Sequence, residues 1–113
     1  MTRIYVPATI DELSQWHAAG SVPAAAFADA YEAPDETEEG EYAALMSAAD
    51  ASAERLAGPG RRLVLVVDAG AAAPVPFREV LAVHADLDER PADADADEDL
   101  AWFGVQEIPA LLG

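Results

Sequence analysis

Only 25 of the 113 residues are Leu, Ile, Val or Phe, while alanine supplies 27 of the 59 apolar residues. The larger apolar side chains thus make up about 22% of the chain, just above the roughly 20% at which a highly charged chain is expected to be disordered. Such a chain can build one thin core, and its length leaves no room for a second. It reads as a single domain over residues 1–113, with a radius of gyration of about 13 Å.

A formal charge of -16 would oppose so small a core if it were spread evenly, but the acid is segregated. Residues 32–41 carry six carboxylates and no base, residues 88–99 carry seven against Arg90, and the other 91 residues carry nine against five arginines. Both runs read as acidic loops, and the body that must fold has an ordinary charge. Physiological salt screens exposed charges beyond about 8 Å, so runs that lie apart need not repel strongly, and low salt is expected to destabilise the fold. The acidity describes what the protein presents to others, and a basic protein is the partner it suits. Direct nucleic-acid binding is not expected, because phosphate contacts need clustered positive charge. The absence of Cys excludes disulfides and thiolate chemistry. No apolar stretch approaches the roughly 20 residues of a membrane helix, and no basic leader with an apolar run opens the chain. The expected setting is the cytoplasm, away from membranes.

Along the chain, Arg3-Ile4-Tyr5-Val6-Pro7 alternates as a short strand does. Thr9 and Glu12 make a capping box, Ala8 and Leu13 occupy staple positions, and Gly20 falls where a left-handed residue would stop the helix. Its inward stripe is Ile10, Leu13 and Trp16 or His17. Residues 24–31 permit helix through their alanines, but Phe27, Asp29 and Tyr31 alternate against Ala26, Ala28 and Ala30, which reads as a strand. Tyr42, Leu45, Met46, Ala49, Ala53 and Leu56 recur at intervals of three and four and predict the main helix, closed by Gly58-Pro59. Glu38, Glu39 and Glu41 near its start suit the positive end of the helix dipole. Leu63 to Val67 is an uninterrupted apolar run and predicts a central strand buried on both faces. In Val80 to Leu87, a second core strand, Leu81, Val83, Ala85 and Leu87 face one way and Val80, Ala82, His84 and Asp86 the other. Residues 100–105 predict a last strand and residues 106–112 a short helix with Pro109 in its first turn. The order βαβαββα gives an α+β, sandwich-like fold, a mixed sheet of four to five strands with two main helices packed on it.

Asp93, Asp95 and Asp97 stand at alternate positions of a calcium loop. Its sixth position is Glu98 instead of Gly and its twelfth Gly104 instead of Glu, and alternating Asp-Ala is also how a solvated linker reads. No cofactor follows from the sequence. His84 and Asp86 share a strand face, and Asp68 at the end of the neighbouring apolar strand could approach them. Such a trio could hold a metal or run acid-base chemistry. The plainer reading is a histidine hydrogen-bonded at a strand end and two carboxylates entering turns. Arg61 and Arg62 read as a pair snorkelling at a sheet edge. Trp102-Phe103 could form an exposed aromatic contact surface, although a thin core makes burial the expectation. No nucleophile elbow, glycine-rich phosphate loop or zinc-ligand spacing is present.

Four segments carry a further signal: Ile4-Tyr5-Val6-Pro7-Ala8-Thr9, Glu41-Tyr42-Ala43-Ala44, Val80 through Asp86, and the close from Trp102 to Pro109. Together they resemble an actinobacterial family of short acidic proteins classed only as a domain of unknown function, over nearly the whole chain, with a shorter stretch from Asp68 to Pro76. The resemblance implies a soluble cytoplasmic domain and transfers no activity, ligand or catalytic residue. Trp102, Gln106 and Glu107 from its close join Asp68, His84 and Asp86 as candidate site residues. Two functional readings stand: a noncatalytic interaction or regulatory module whose acidic loops meet a basic partner, and a small metal- or ligand-binding protein or enzyme using Asp68, His84 and Asp86. Homo-oligomerisation through an edge strand is open at this stage.

Overall fold

The computed structural model describes residues 2–113. In chain order it contains β1 (Arg3–Ala8), α1 (Ile10–Ala19), β2 (Ser21–Val22), β3 (Tyr31–Glu32), α2 (Glu38–Leu56), β4 (Leu63–Asp68), β5 (Val75–Pro76), β6 (Val80–Ala85), β7 (Ala101–Phe103) and α3 (Ile108–Leu112). Strands β3-β1-β4-β6-β7 form a five-stranded sheet, and β2 pairs with β5 in a small second sheet. The α+β class is as expected. The expected mixture of strand directions is not found, since each pairing is antiparallel. The radius of gyration is 12.9 Å.

The local signals around α1 act as read. Thr9 and Glu12 cap each other reciprocally at 3.1 Å, and Gly20 closes the helix in a left-handed conformation at φ 88°. Leu13 is its fully buried residue, and His17 meets the edge of Phe77 at 5.4 Å. The strand expected over residues 24–31 is instead a 3-10 helix, Ala24–Asp29, with only Tyr31–Glu32 extended. Short alanine-rich stretches tolerate either state, and tertiary packing decided this one.

β4 holds the centre, as an all-apolar strand should. Leu63, Leu65 and Val67 enter one core with Val6, Leu13, Val22, Val75, Phe77, Val83, Ile108 and Leu111, while Val64 and Val66 enter a second with Tyr5, Ala33 and the alanines of α2. The sheet is therefore covered on both faces. The buried residues of α2 are Gly40, Ala44, Ala48, Ala49 and Ser52; the alanines pack against the sheet, while Gly40 makes room for the Asp35 side chain of the preceding loop. Tyr42 and Ala53, expected inward, are exposed. Half of the first acidic run is also helix, since Glu38, Glu39 and Glu41 form the first turn of α2 behind its N-cap Thr37. The αL residue that ends α2 is Ala57, one residue before the predicted glycine.

One buried hydroxyl joins helix to sheet. Ser52 donates to the carbonyl of Ala8 at 2.6 Å and accepts the N–H of Leu63 at 2.9 Å. Both backbone groups lie at the closing end of the β1–β4 ladder. Replacing Ser52 with alanine leaves two buried polar groups unmatched, and a loss of about 1–3 kcal/mol is expected in urea unfolding. A change within about 0.5 kcal/mol, the scale of an ordinary surface substitution, would refute the role given to this bridge.

Strand β6 departs from simple alternation. Val66 pairs with Ala82 but Val67 pairs with Val80, so Leu81 is an extra residue in the ladder, the signature of a β-bulge. Val80 and Val83 both enter the first core. Leu81, expected on that face, is instead 40% exposed and lies beside Ala82 and His84 on the α2 side.

Candidate functional site

The trio Asp68, His84 and Asp86 is not assembled. β4 and β6 run antiparallel with Leu63 opposite Ala85, so Asp86 lies at the Arg62 end of β4 while Asp68 ends the strand on the far side. Asp68 there accepts the N–H of Gly70 at 2.7 Å. Among the described residues no group of three His, Asp or Glu side chains converges as a metal site. Asp95, a member of the suspected calcium loop, accepts the N–H of Asp97 at 2.9 Å and closes its own turn. Gln106 is exposed, and Glu107 accepts the N–H of Gly104 at 2.7 Å, which makes it a cap for the last turn.

Asp86 belongs to a buried ion cluster. Arg62, read as a snorkelling edge residue, is 1% exposed, and Asp86 is 6% exposed. Arg62 Nη2 meets Asp86 Oδ1 at 2.7 Å, while its Nε and backbone N–H both reach Oδ2, at 2.9 and 2.8 Å. The remaining guanidinium valences go to the carbonyls of Ala96 and Glu98, at 3.3 and 2.9 Å. Arg90 lies 3.7 Å from Asp86 and 3.5 Å from the Glu98 carboxylate, donates to the carbonyl of Asp95, and bridges by its backbone to Gly60. The second acidic run is therefore wound around two arginines, which corrects its reading as a flexible linker. The sequence carried one usable sign of this: opposite charges at the ends of two adjacent apolar strands, Arg62 before β4 and Asp86 after β6.

The concave surface that combines aromatic, acidic and imidazole chemistry lies on the α2 side of the sheet. α2 packs over β1, β3 and β4, and between it and the β6–β7 half of the sheet is a cleft of about 430 Å³. Tyr5, Leu45, Val66 and Ala82 make its apolar floor, Tyr42 and Trp102 stand at its walls, and His84 and the Arg3–Glu41 pair are its polar groups. Trp102 is 61% exposed and Tyr42 49%. The expected burial of Trp102 fails because β7 alternates at the sheet margin: Phe103 packs on the first core while Trp102, opposite His84, faces the cleft. Tyr42 and Leu81 escaped the sequence reading, one absorbed into a helical stripe and the other placed in the core by an alternation that the bulge breaks.

One end of each acidic run reaches this cleft, Glu41 in its lining and Asp99 on the hydroxyl of Tyr42. The Tyr42 hydroxyl donates to Asp99 Oδ1 at 2.7 Å, tying the acidic first turns of α2 to the end of the second run. The hydrogen bond to that carboxylate raises the Tyr42 pKa, with burial and the charges of Asp99 and Asp97 acting in the same direction. Burial likewise pushes up Tyr5, helped by Glu41. Arg3 offsets Glu41 within the lining, and Asp99 with the nearby Asp97 supplies the remaining charge beside Tyr42. Five of the six arginines are engaged internally: Arg3 with Glu41, Arg55 with Glu12 and Asp29, Arg62 and Arg90 as above, and Arg61 with the carbonyls of Asp86 and Leu111.

Two groups tie stability to acidity. Burial raises the Asp86 pKa, yet the hydrogen bonds and charges of Arg62, with Arg90, outweigh it and hold the carboxyl below its usual value. Its contribution is present above the unfolded pKa of about 3.9 and is lost as pH falls through the lower folded value. Burial lowers the His84 pKa below 6.5. On acidification the unfolded chain takes that proton first, so stability declines as pH falls below about 6.5 and levels off beneath the folded value. His84→Gln is expected to flatten the dependence of the urea midpoint on pH between 7.5 and about 5 relative to the wild type. Superimposable profiles would remove His84 from the titration.

The comparisons with known proteins give one match. No curated protein and no solved structure matches the chain. The sequence pattern of a family of unknown function, DUF6912, matches residues 2–112, a span that takes in α2, both acidic runs, the Arg62–Asp86 cluster and the Trp102 cleft, and on that match the chain belongs to the DUF6912 family.

Proposed function

We propose that this protein is a noncatalytic interaction or regulatory module, a single domain over residues 1–113, whose acidic face receives a basic partner protein in the cytoplasm of an actinobacterial cell. The observation that carries the reading is the Tyr42–Asp99 hydrogen bond, which holds the end of the second carboxylate run against the helix turn that follows the first, beside one aromatic concavity. Surfaces of this kind favour steered association with an oppositely charged partner. Arg3 and Arg90 each offset one carboxylate of the runs, Glu41 and Glu98, and the carboxylates left in excess repel phosphate-rich partners. No helix among the described residues is long and apolar enough to cross a membrane. The separation of Asp68 from His84 and the sealing of Asp86 by Arg62 take away the geometry on which a catalytic or metal-binding reading rested.

The test is affinity capture from native lysate at physiological salt, comparing the wild type with a variant carrying Glu38→Gln, Glu39→Gln, Asp93→Asn and Asp97→Asn. A basic protein retained by the wild type and lost both from the variant and in a high-salt wash supports the reading. Equal retention on the two proteins sinks it.

A further inference from the structure

We infer that the cleft between α2 and strands β6–β7 takes a cationic side chain, arginine or lysine, from an extended basic segment of the partner, with Trp102 and Tyr42 as its walls. The inference rests on the interaction reading above and adds the place and the chemistry of contact.

The shape comes first. At about 430 Å³ the cleft is near the lower end of the about 300–1,000 Å³ typical of ligand pockets, a size for one side chain and its neighbours. A chain with so few large apolar residues nevertheless leaves Trp102, Tyr42 and Leu81 exposed around it. Trp and Tyr are the residues that most often anchor binding energy at interfaces, and a lone surface aromatic needs no such explanation. Here the two face one concavity with an apolar floor.

The charge selects the occupant. Glu41 lies in the cleft lining, Asp99 is held on the Tyr42 hydroxyl, and Arg3, the cation of the lining, is already paired with Glu41 at 3.5 Å. Burial lowers the His84 pKa and so disfavours a competing positive charge in the cleft. A guanidinium or ammonium group over the indole and phenol faces would gain both cation–π attraction and the field of the rim, while its methylene stem lies along Leu45, Val66 and Ala82. The same charges argue against a second copy of this chain, which would bring an equally acidic face to the contact. An uncharged apolar peptide would gain nothing from the rim.

The probe is an octapeptide of alternating arginine and alanine, blocked at both ends, titrated at physiological salt while the indole N–H resonance of Trp102 is followed by NMR. The expected result is a saturable shift with the arginine peptide and none with its citrulline counterpart, which is neutral and similar in shape. With affinities of wild type and variants compared by isothermal titration calorimetry, Trp102→Ala, which leaves every carboxylate in place, should weaken binding about five- to tenfold, within the range of cation–π contacts. Tyr42→Ala, from the opposite wall, should weaken it similarly, and thermal melts verify that both variants are folded. Unchanged affinity in both variants would overturn the inference and leave the acidic-face reading intact, since the peptide would then be held by diffuse charge. Unchanged affinity in the four-amide variant would instead defeat the acidic-face reading itself. No shift in the wild type up to millimolar peptide, or a concentration-dependent dimer in sedimentation that buries Trp102, would also overturn the inference.

Discussion

Replacing Arg62 with methionine is expected to lower the unfolding free energy by about 3–5 kcal/mol, because it strands a buried carboxylate. Asp86 has its two oxygens bound by the Arg62 guanidinium and backbone N–H, and Arg90 stands further off at 3.7 Å. Against a total stability of about 5–15 kcal/mol for an ordinary domain, that loss leaves little. The double variant Arg62→Met with Asp86→Leu should recover much of it, since a buried ion pair is often replaceable by apolar groups without net cost. It should not restore the second acidic run, whose carbonyls at Ala96 and Glu98 have lost their donor. Urea unfolding reads the first effect. Limited proteolysis within residues 88–99 reads the second, with faster cleavage expected in both variants. A single-variant loss under about 1 kcal/mol, the level of an exposed pair, would show that Arg62 is not the pin the geometry makes it.

The second large effect belongs to Leu65. It is fully buried at the centre of β4, with Val6 of β1 opposite on one side and Val83 of β6 on the other. Leu65→Ala removes the branched end of the side chain at a point where two strands and the overlying layer already fix the backbone, so the site cannot collapse to fill the space. A loss of about 2–5 kcal/mol is expected. The same chemical change at Leu87, which is 69% exposed, should stay within about 0.5 kcal/mol. The pair isolates position from chemistry, and equal losses at the two sites would contradict the assigned core.

The contrast between elements that could be read from sequence and those that could not has a consistent physical origin. The capping box of α1, its glycine stop and the burial of β4 were legible because each is decided within a few residues: a hydroxyl and a carboxylate three apart, a positive φ, an unbroken apolar run. Residues 24–31 were misread because their alanines favour neither period strongly, leaving the choice to packing. The stripe of α2 holds at Ala49 and Leu45 and fails at Tyr42 and Ala53 for a related reason. Periodicity ranks residues by hydrophobicity and put Tyr42 inside, whereas packing against the sheet selected the small residues Ala44, Ala48 and Ala49.

The candidate site was less legible still. The sequence offers His84 for a metal or acid-base trio and Trp102 as a contact residue whose burial is the expectation, and the two are paired across β6 and β7 on the open side of the sheet. Their partners Tyr42 and Leu81 come from a helix and a bulge, and a one-residue insertion that reverses the facing of a side chain leaves little trace in composition.

By itself the sequence determined a thin-cored α+β chain with a buried central strand, a surplus of acid concentrated in two runs, and only six arginines to set against it. These are properties of composition and of interactions spanning a few residues. Only the tertiary structure decided that Arg62 would enter the interior and gather the second run around it, that Asp68 and Asp86 would be held apart by the length of a strand, and that Asp99 would be held on Tyr42 beside the aromatic cleft. Each of these depends on antiparallel register and on where α2 lies across the sheet, long-range pairings whose energies come from burial and charge compensation between segments that are distant along the chain.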